Sequence, residues 1–304
     1  MSFDLAWMRD DAPYMPIVTQ GLLTVLAPVD PTATACWQGG DSASMLHVTT
    51  SLTVEEAAQV THEAALPDVT AVPWPTKNPQ ALGPSLSAHD GNPLVTYREL
   101  LATAAPVERR LLRALATDQV LDARGGPSRT RLLRGAKADL SAFGPLRRAS
   151  VSDLADELRD GPDFRPGKSG VGLGLVPEVQ TFGGTTGRDA SMVGAESALL
   201  SRLLRHGILA LPPTGCLRGR HRDVGGPLIS DARDLSWPRW TVPCGPRALR
   251  VLFGLACVHV DIDVDNRQDI ARLVSASGID AVFRATPQQL STTVAVFRWG
   301  RRVV

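Results

Sequence analysis

Apolar positions recur at helical spacing in some stretches of this chain and alternate in others, and these two periods divide it into elements. PYMPIVTQGLLTVLA at 13–27 predicts a short helix, interrupted near its start by Pro16. TACW at 34–37 and SMLHVTT at 44–50 predict strands separated by the GGDS turn at 39–42. Thr53 and Glu56 form a capping box that opens a helix over TVEEAAQVTHEAAL. Residues 67–93 hold six prolines, a density that no helix or central strand tolerates. They read as a linker or long irregular loop at a subdomain boundary.

TYRELLATAA and PVERRLLRALATD predict a helix pair, with Pro106 suited to a first helical position. In the second helix Val107, Leu111, Leu112 and Leu115 share a face, leaving Glu108, Arg109, Arg110 and Arg113 mostly elsewhere. Residues 119–135 read as strand, Gly-Gly-Pro turn, strand. Val151, Leu154, Ala155 and Leu158 mark a further amphipathic helix, and 161–187 is glycine-rich and irregular. A helix is expected over 190–206, its buried stripe Leu199, Leu200, Leu203 and Leu204, with Gly207 placed to stop it. Residues 208–243 read as loop and short strand, and PRALRVLFGLA at 246–256 as helix. Asn266 and Gly278 bracket a helix over NRQDIARLVSASG, and AVFRAT and TTVAVFRWGRR predict two closing strands.

Helices and strands mix without regular βαβ spacing, so the expected class is α+β, built from short strands, amphipathic helices and long Pro- and Gly-rich loops. The expected layout is an N-terminal acidic α/β subdomain at 1–66, a Pro-rich linker or loop at 67–93, and a main basic α+β domain at 94–304.

Composition narrows the function. With 304 residues, 43% hydrophobic and 21% charged, the chain is globular. No apolar run approaches the roughly 20 residues that span a bilayer. The opening MSFDLAWMRDDAPY lacks the basic start and apolar stretch of a secretory signal, so a cytoplasmic protein without membrane association is expected. Cys36, Cys216, Cys244 and Cys257 are scattered without a CxxC pair, as free thiols in a reducing compartment are. Net charge is only +1, but residues 1–104 carry 3 basic and 11 acidic groups, and the remainder 29 and 20. Such asymmetry hints at a polyanion partner. Arginines outnumber lysines 29 to 3, a bias that suits phosphate binding and also follows from a GC-rich genome.

Several motifs fail on inspection. GPDFRPGKS at 161–169 ends like a phosphate-binding loop, but five residues rather than four separate Gly161 from Gly167, and no apolar strand precedes it. HEAAL at 62–66 has Leu66 where a zinc site needs its second histidine. There is no GxSxG elbow. HVDIDVDN at 259–266, read as a strand, would line up His259, Asp261, Asp263 and Asp265 on one face, a cation site if not simply acids facing water.

The basic stretches carry the preferred reading. Arg124, Arg129, Arg131 and Arg134 surround the predicted hairpin, and Arg218, Arg220, His221 and Arg222 lie in CLRGRHRDVGG. Guanidinium forks match phosphate oxygens and guanine edges. GGTTGR at 183–188 can bring backbone amides to a phosphate beside Lys168 and Arg188. Set against this is a solvated arginine-rich surface. Trp237 and Trp240 in SWPRW are candidates for base stacking, with core packing the stronger expectation.

In order along the chain, APYMPIVTQGLLTVL…TACW, LVTYRELLATAAPVERRLLRALATDQVLDARGGPSRT, ESALLSRLLRHGILALPPTG, LSWPRWTVPCGPRALRVLF and GIDAVFRA…VAVFRWGRR resemble subunits of type I CRISPR–Cas effector complexes, specifically the large subunit of the I-G (formerly I-U) group. The resemblance implies a noncatalytic subunit of a crRNA-guided antiviral surveillance complex. It would contact target DNA and its flanking motif, with crRNA, target DNA and other effector subunits as partners and no cofactor. Arg129 and Thr130 are the polar motif positions it transfers. The chain is short for a large subunit and ends on strands, without a C-terminal helical portion. Two alternatives remain: a metal-dependent nuclease or phosphodiesterase using His259, Asp261 and Asp263, and a protein-interaction module docking through 67–93.

Overall fold

A computed structural model describes residues 1–39, 44–66, 93–121, 127–129, 148–162, 164–166, 193–195, 197–210, 235–259, 265–285, 287–289, 295–297 and 299–304. In the first half these form β1 (Ser2–Leu5), α1 (Met15–Leu26), β2 (Thr34–Gln38), β3 (Met45–Thr49), α2 (Val54–Glu63), α3 (Pro93–Thr103), α4 (Pro106–Leu115), β4 (Ala116–Leu121) and β5 (Pro127–Arg129). There follow α5 (Val151–Asp160), β6 (Phe164–Pro166), β7 (Val193–Ala195), α6 (Ala198–Ala210), β8 (Leu235–Trp240), α7 (Pro246–Phe253) and α8 (Ala256–His259). Last come α9 (Arg267–Ala276), β9 (Ile279–Ala285), β10 (Pro287–Gln289), β11 (Ala295–Phe297) and β12 (Arg301–Arg302). The fold is α+β, and every strand pair among the described residues is antiparallel.

Helix α1 has no charged residue and buries every position except Thr24, as a helix apolar all round must. Pro16 lies in its first turn, where a missing N–H breaks no hydrogen bond, so it starts the helix rather than interrupting it. Around α1 pack α2, α6, α7 and β2. The contact with α6 is set by two glycines. A Cβ on Gly21 would lie 1.9 Å from the carbonyl oxygen of Leu203, and one on Gly207 1.9 Å from that of Ile17. Gly207 therefore does not stop α6. It lies inside the helix, which runs to Ala210, because the backbones touch there. The helix also begins later than expected, after the Val193–Ala195 strand. Ser197 and Glu157 cap it: Leu200 N donates to Ser197 Oγ at 2.9 Å and Leu199 N to Glu157 Oε2 at 3.0 Å.

The capping box at Thr53 and Glu56 forms with both of its hydrogen bonds, and a second joins Ser150 and Asp153 at the start of α5. On α5 Leu154, Ala155 and Leu158 face inward. Asn266 makes no side-chain cap bond, whereas Gly278 takes the left-handed φ of 74° that ends the α9 segment. Pairing also redraws two boundaries. Ala116 is already opposite Arg129 in the β4–β5 ribbon, so the ATD expected to be helical is strand. The helix at 246–256 breaks at Gly254.

The main hydrophobic cluster runs from Leu5 to Ala285, drawing on elements either side of 67–92, which lie outside the described residues, and a smaller one joins Val258, Ile270, Val274, Ile279 and Val282. Sheet β1-β3-β2 is tied to the segment just after β8 of sheet β12-β9-β8 through mutual hydrogen bonds between Ala35 and Cys244. Trp37, Trp240 and Phe253 meet edge to face there, and Trp237 stacks on Phe283. After α1 the chain is tied by Asp30, whose carboxylate accepts from Thr32 N, Thr32 Oγ1, Thr50 Oγ1 and Ser51 N at 2.6–3.0 Å. The Thr32 hydroxyl first, then Thr50 and Ser51, hold its pKa well below the ordinary carboxylate range.

Two outcomes follow from this packing. Alanine gains about 1 kcal/mol of helix propensity over glycine, yet Gly21→Ala and Gly207→Ala should each lose at least about 3 kcal/mol in urea titration because a methyl meets backbone. Gly245→Ala, whose methyl would sit 3.5 Å from Ala33 O, should stay within about 1 kcal/mol. Asp30→Asn should cost about 1–3 kcal/mol at neutral pH. A depressed native pKa stabilises above the unfolded value of about 3.9, so the deficit should shrink as pH falls below it.

Candidate nucleic-acid interface

Of the nine basic residues chosen from sequence, Arg124, Arg131, Arg134, Lys168, Arg188, Arg218, Arg220 and Arg222 lie outside the described residues. Arg129 lies on β5 opposite Ala116. His259 closes the helix α8. The alternation that would align it with Asp261 and Asp263 does not hold at that position, and those two acids lie outside the described residues. Among the described residues no cluster of three metal-ligating side chains occurs. Gly161, first glycine of the near-miss phosphate loop, has φ 86° and ends α5 against Trp7, so a helix stands where such a loop needs a strand.

The described arginines divide by environment. Some are internal fasteners. Arg109 Nε donates to Leu101 O at 2.8 Å and its Nη2 to Ala104 O at 3.0 Å, capping α3. Arg202 Nη1 donates to His62 O at 3.1 Å at the end of α2. Arg98 pairs with Asp118, and Arg159 bridges Asp156 and Glu55. Arg239, 5% exposed, is held by Asp10 Oδ2 at 2.9 Å and Asp280 Oδ2 at 2.5 Å. Asp280 is the extra residue of a β-bulge, since Arg239 is opposite Ala281 and Trp240 opposite Ile279. Burial works against the Arg239 charge, but Asp280 and Asp10 outweigh it and raise its pKa.

Others face water unengaged. Arg110 and Arg113 on α4, and Arg247 and Arg250 on α7, are exposed and form no ion pair or hydrogen bond with the other described residues. Each pair is three residues apart, so its two guanidiniums leave one helix face about 5–6 Å apart at Cβ. The sequence choice overlooked them because it favoured loops. Their signal was position off the apolar stripe, which Leu112 on α4 and Leu249 and Phe253 on α7 mark by burial.

Both SWPRW tryptophans are core residues rather than a stacking platform. Trp237 Nε1 donates to Asp10 O at 2.7 Å and Trp240 Nε1 to Ala35 O at 2.8 Å, with both side chains fully buried. Among the described residues no helix is long and apolar enough to cross a membrane. No protein-family model matches the chain, and no curated protein is detectably similar to it.

The division predicts opposite responses to the same substitution. Arg239→Ala strands Asp10 in a buried site and should cost about 3–5 kcal/mol. Arg110→Ala and Arg250→Ala should stay within about 0.5 kcal/mol of the parent. Chemical denaturation of the three variants side by side checks both.

Proposed function

We propose that the chain is a noncatalytic nucleic-acid-binding subunit of a crRNA-guided surveillance complex, contacting target DNA and the motif flanking the target. Guide pairing reads the sequence in such a complex, while protein subunits grip the phosphate backbone and hold the opened strands. The observation that supports this reading best is the pair of unengaged arginine faces on α4 and α7, in the part of the chain that carries the positive excess. The other basic residues assigned to phosphate binding are Arg124, Arg129, Arg131, Arg134, Lys168, Arg188, Arg218, Arg220 and Arg222. The acidic first third fits the same division. Several of its carboxylates have partners within the chain: Asp4 with His47, Asp10 with Arg239, Asp11 with Arg9, Glu55 with Arg159.

The test is the salt dependence of binding to a DNA duplex with an unpaired segment. For every phosphate that a variant no longer neutralises, the slope of log affinity against log salt becomes shallower by about 0.9. Replacing Arg110, Arg113, Arg247 and Arg250 together with alanine should weaken binding and flatten that slope, as should removing Arg218, Arg220 and Arg222. Unchanged affinity and slope in both variants would refute the reading.

A further inference from the structure

Where the first and last segments of the chain meet, the Arg9 guanidinium lies over the ring of Trp299, 4.2 Å from its centroid. Trp299 is half-buried against the main hydrophobic cluster, so the ring is a fixed floor. One residue on, Gly300 N donates to Asp11 O at 2.7 Å, which fastens the two segments to each other. Asp11 also takes the edge of the guanidinium: Arg9 Nε donates to Oδ1 at 2.9 Å and Nη2 to Oδ2 at 2.7 Å. A bidentate fork along one edge and a ring beneath hold the plane in one orientation. The Arg9 side chain is nevertheless 59% exposed. With one flat face on tryptophan and one edge on carboxylate, the opposite flat face is what it presents to water.

An ion pair this exposed contributes little to stability, and Asp11 cancels the net charge of Arg9. Coulomb attraction for a phosphate is therefore weak at Arg9 itself, and a flat cationic surface is what the site offers. A π-rich ring stacks on such a surface. The unengaged charge is nearby. Arg301, at the start of β12, is exposed and forms no ion pair or side-chain hydrogen bond with the other described residues. It stands two residues beyond Trp299, about 7 Å along an extended chain and on the same side of it. The neighbouring acid Asp10 is engaged by Arg239. A planar base with a phosphate beside it matches both features.

We propose that the Arg9–Trp299 stack is a platform for an unpaired base of a nucleic-acid strand, the base lying on the open face of the Arg9 guanidinium and the adjacent phosphate meeting Arg301. This rests on the nucleic-acid reading above and adds the form of the ligand, a single strand with accessible bases rather than a paired duplex.

Fluorescence anisotropy of the full chain with two labelled strands of equal length tests it: octathymidylate, and an abasic octamer with the same phosphates and no bases. Octathymidylate should bind at least about fivefold more tightly, the lower end of what stacking one base contributes. Arg9→Lys keeps the charge and loses the plane. It should bring octathymidylate down to the affinity of the abasic strand and leave the abasic strand unchanged. Arg301→Ala should weaken both strands alike and make the salt slope shallower by about 0.7. Trp299→Ala should act as Arg9→Lys does; if it fails to fold, Arg9→Lys, a change at the surface, decides alone. Equal affinity of the parent for the two strands, or a preference for bases that survives Arg9→Lys, would overturn the proposal and leave the broader nucleic-acid reading standing. Failure of both strands to bind would also overturn it, and binding of a duplex then decides the broader reading separately.

Discussion

At Gly21 and Gly207 the backbones of α1 and α6 come so close that each occupies the space a side chain would need on the other. Packed interiors yield little to an added methyl, and a rigid carbonyl yields less than the far end of a side chain. The rest of the molecule is arranged on this crossing. Helix α7 packs on α1 and α4 packs on α6, so the two arginine faces are carried by the two crossing helices. A change at either glycine therefore acts on fold and basic surface together.

Charge is used in two ways. Inside, guanidiniums replace missing helix caps and join distant segments: Arg202 ends α2, Arg109 ends α3, and Arg239 ties Asp10 near the N-terminus to the bulge at Asp280. A buried triad of this kind contributes position more than net stability, because desolvation offsets much of the Coulomb gain. Outside, Arg110 and Arg113 of α4 and Arg247 and Arg250 of α7 contribute little to holding the chain together. A guanidinium that is not already engaged can trade water for phosphate at small cost, which a fastening arginine cannot do.

Much of the fold was legible in the sequence because local rules and tertiary packing agree there. The Thr53 capping box, the stripe at Leu154, Ala155 and Leu158, and the strand at Trp37 follow from local pattern. Gly207 was misread because a glycine that ends a helix and one that admits a neighbouring backbone look alike in one dimension. Only the partner at Ile17 distinguishes them. His259 was misread for a related reason: alternating acids suggest a strand, while the residues before them complete a helical turn. The candidate site was less legible still. Sequence reasoning placed it on glycine-containing loops, but whether an arginine is free or already engaged depends on partners far along the chain. Arg239 and Asp10, 229 residues apart, illustrate it.

Footprinting with phenylglyoxal, which modifies exposed guanidiniums, addresses the central assignment directly when read by mass spectrometry with and without saturating polynucleotide. The account predicts that Arg110, Arg113, Arg247 and Arg250 react readily in the free chain and are shielded in the complex, while Arg239 reacts in neither state. Equal modification of the four in free and bound protein would contradict it.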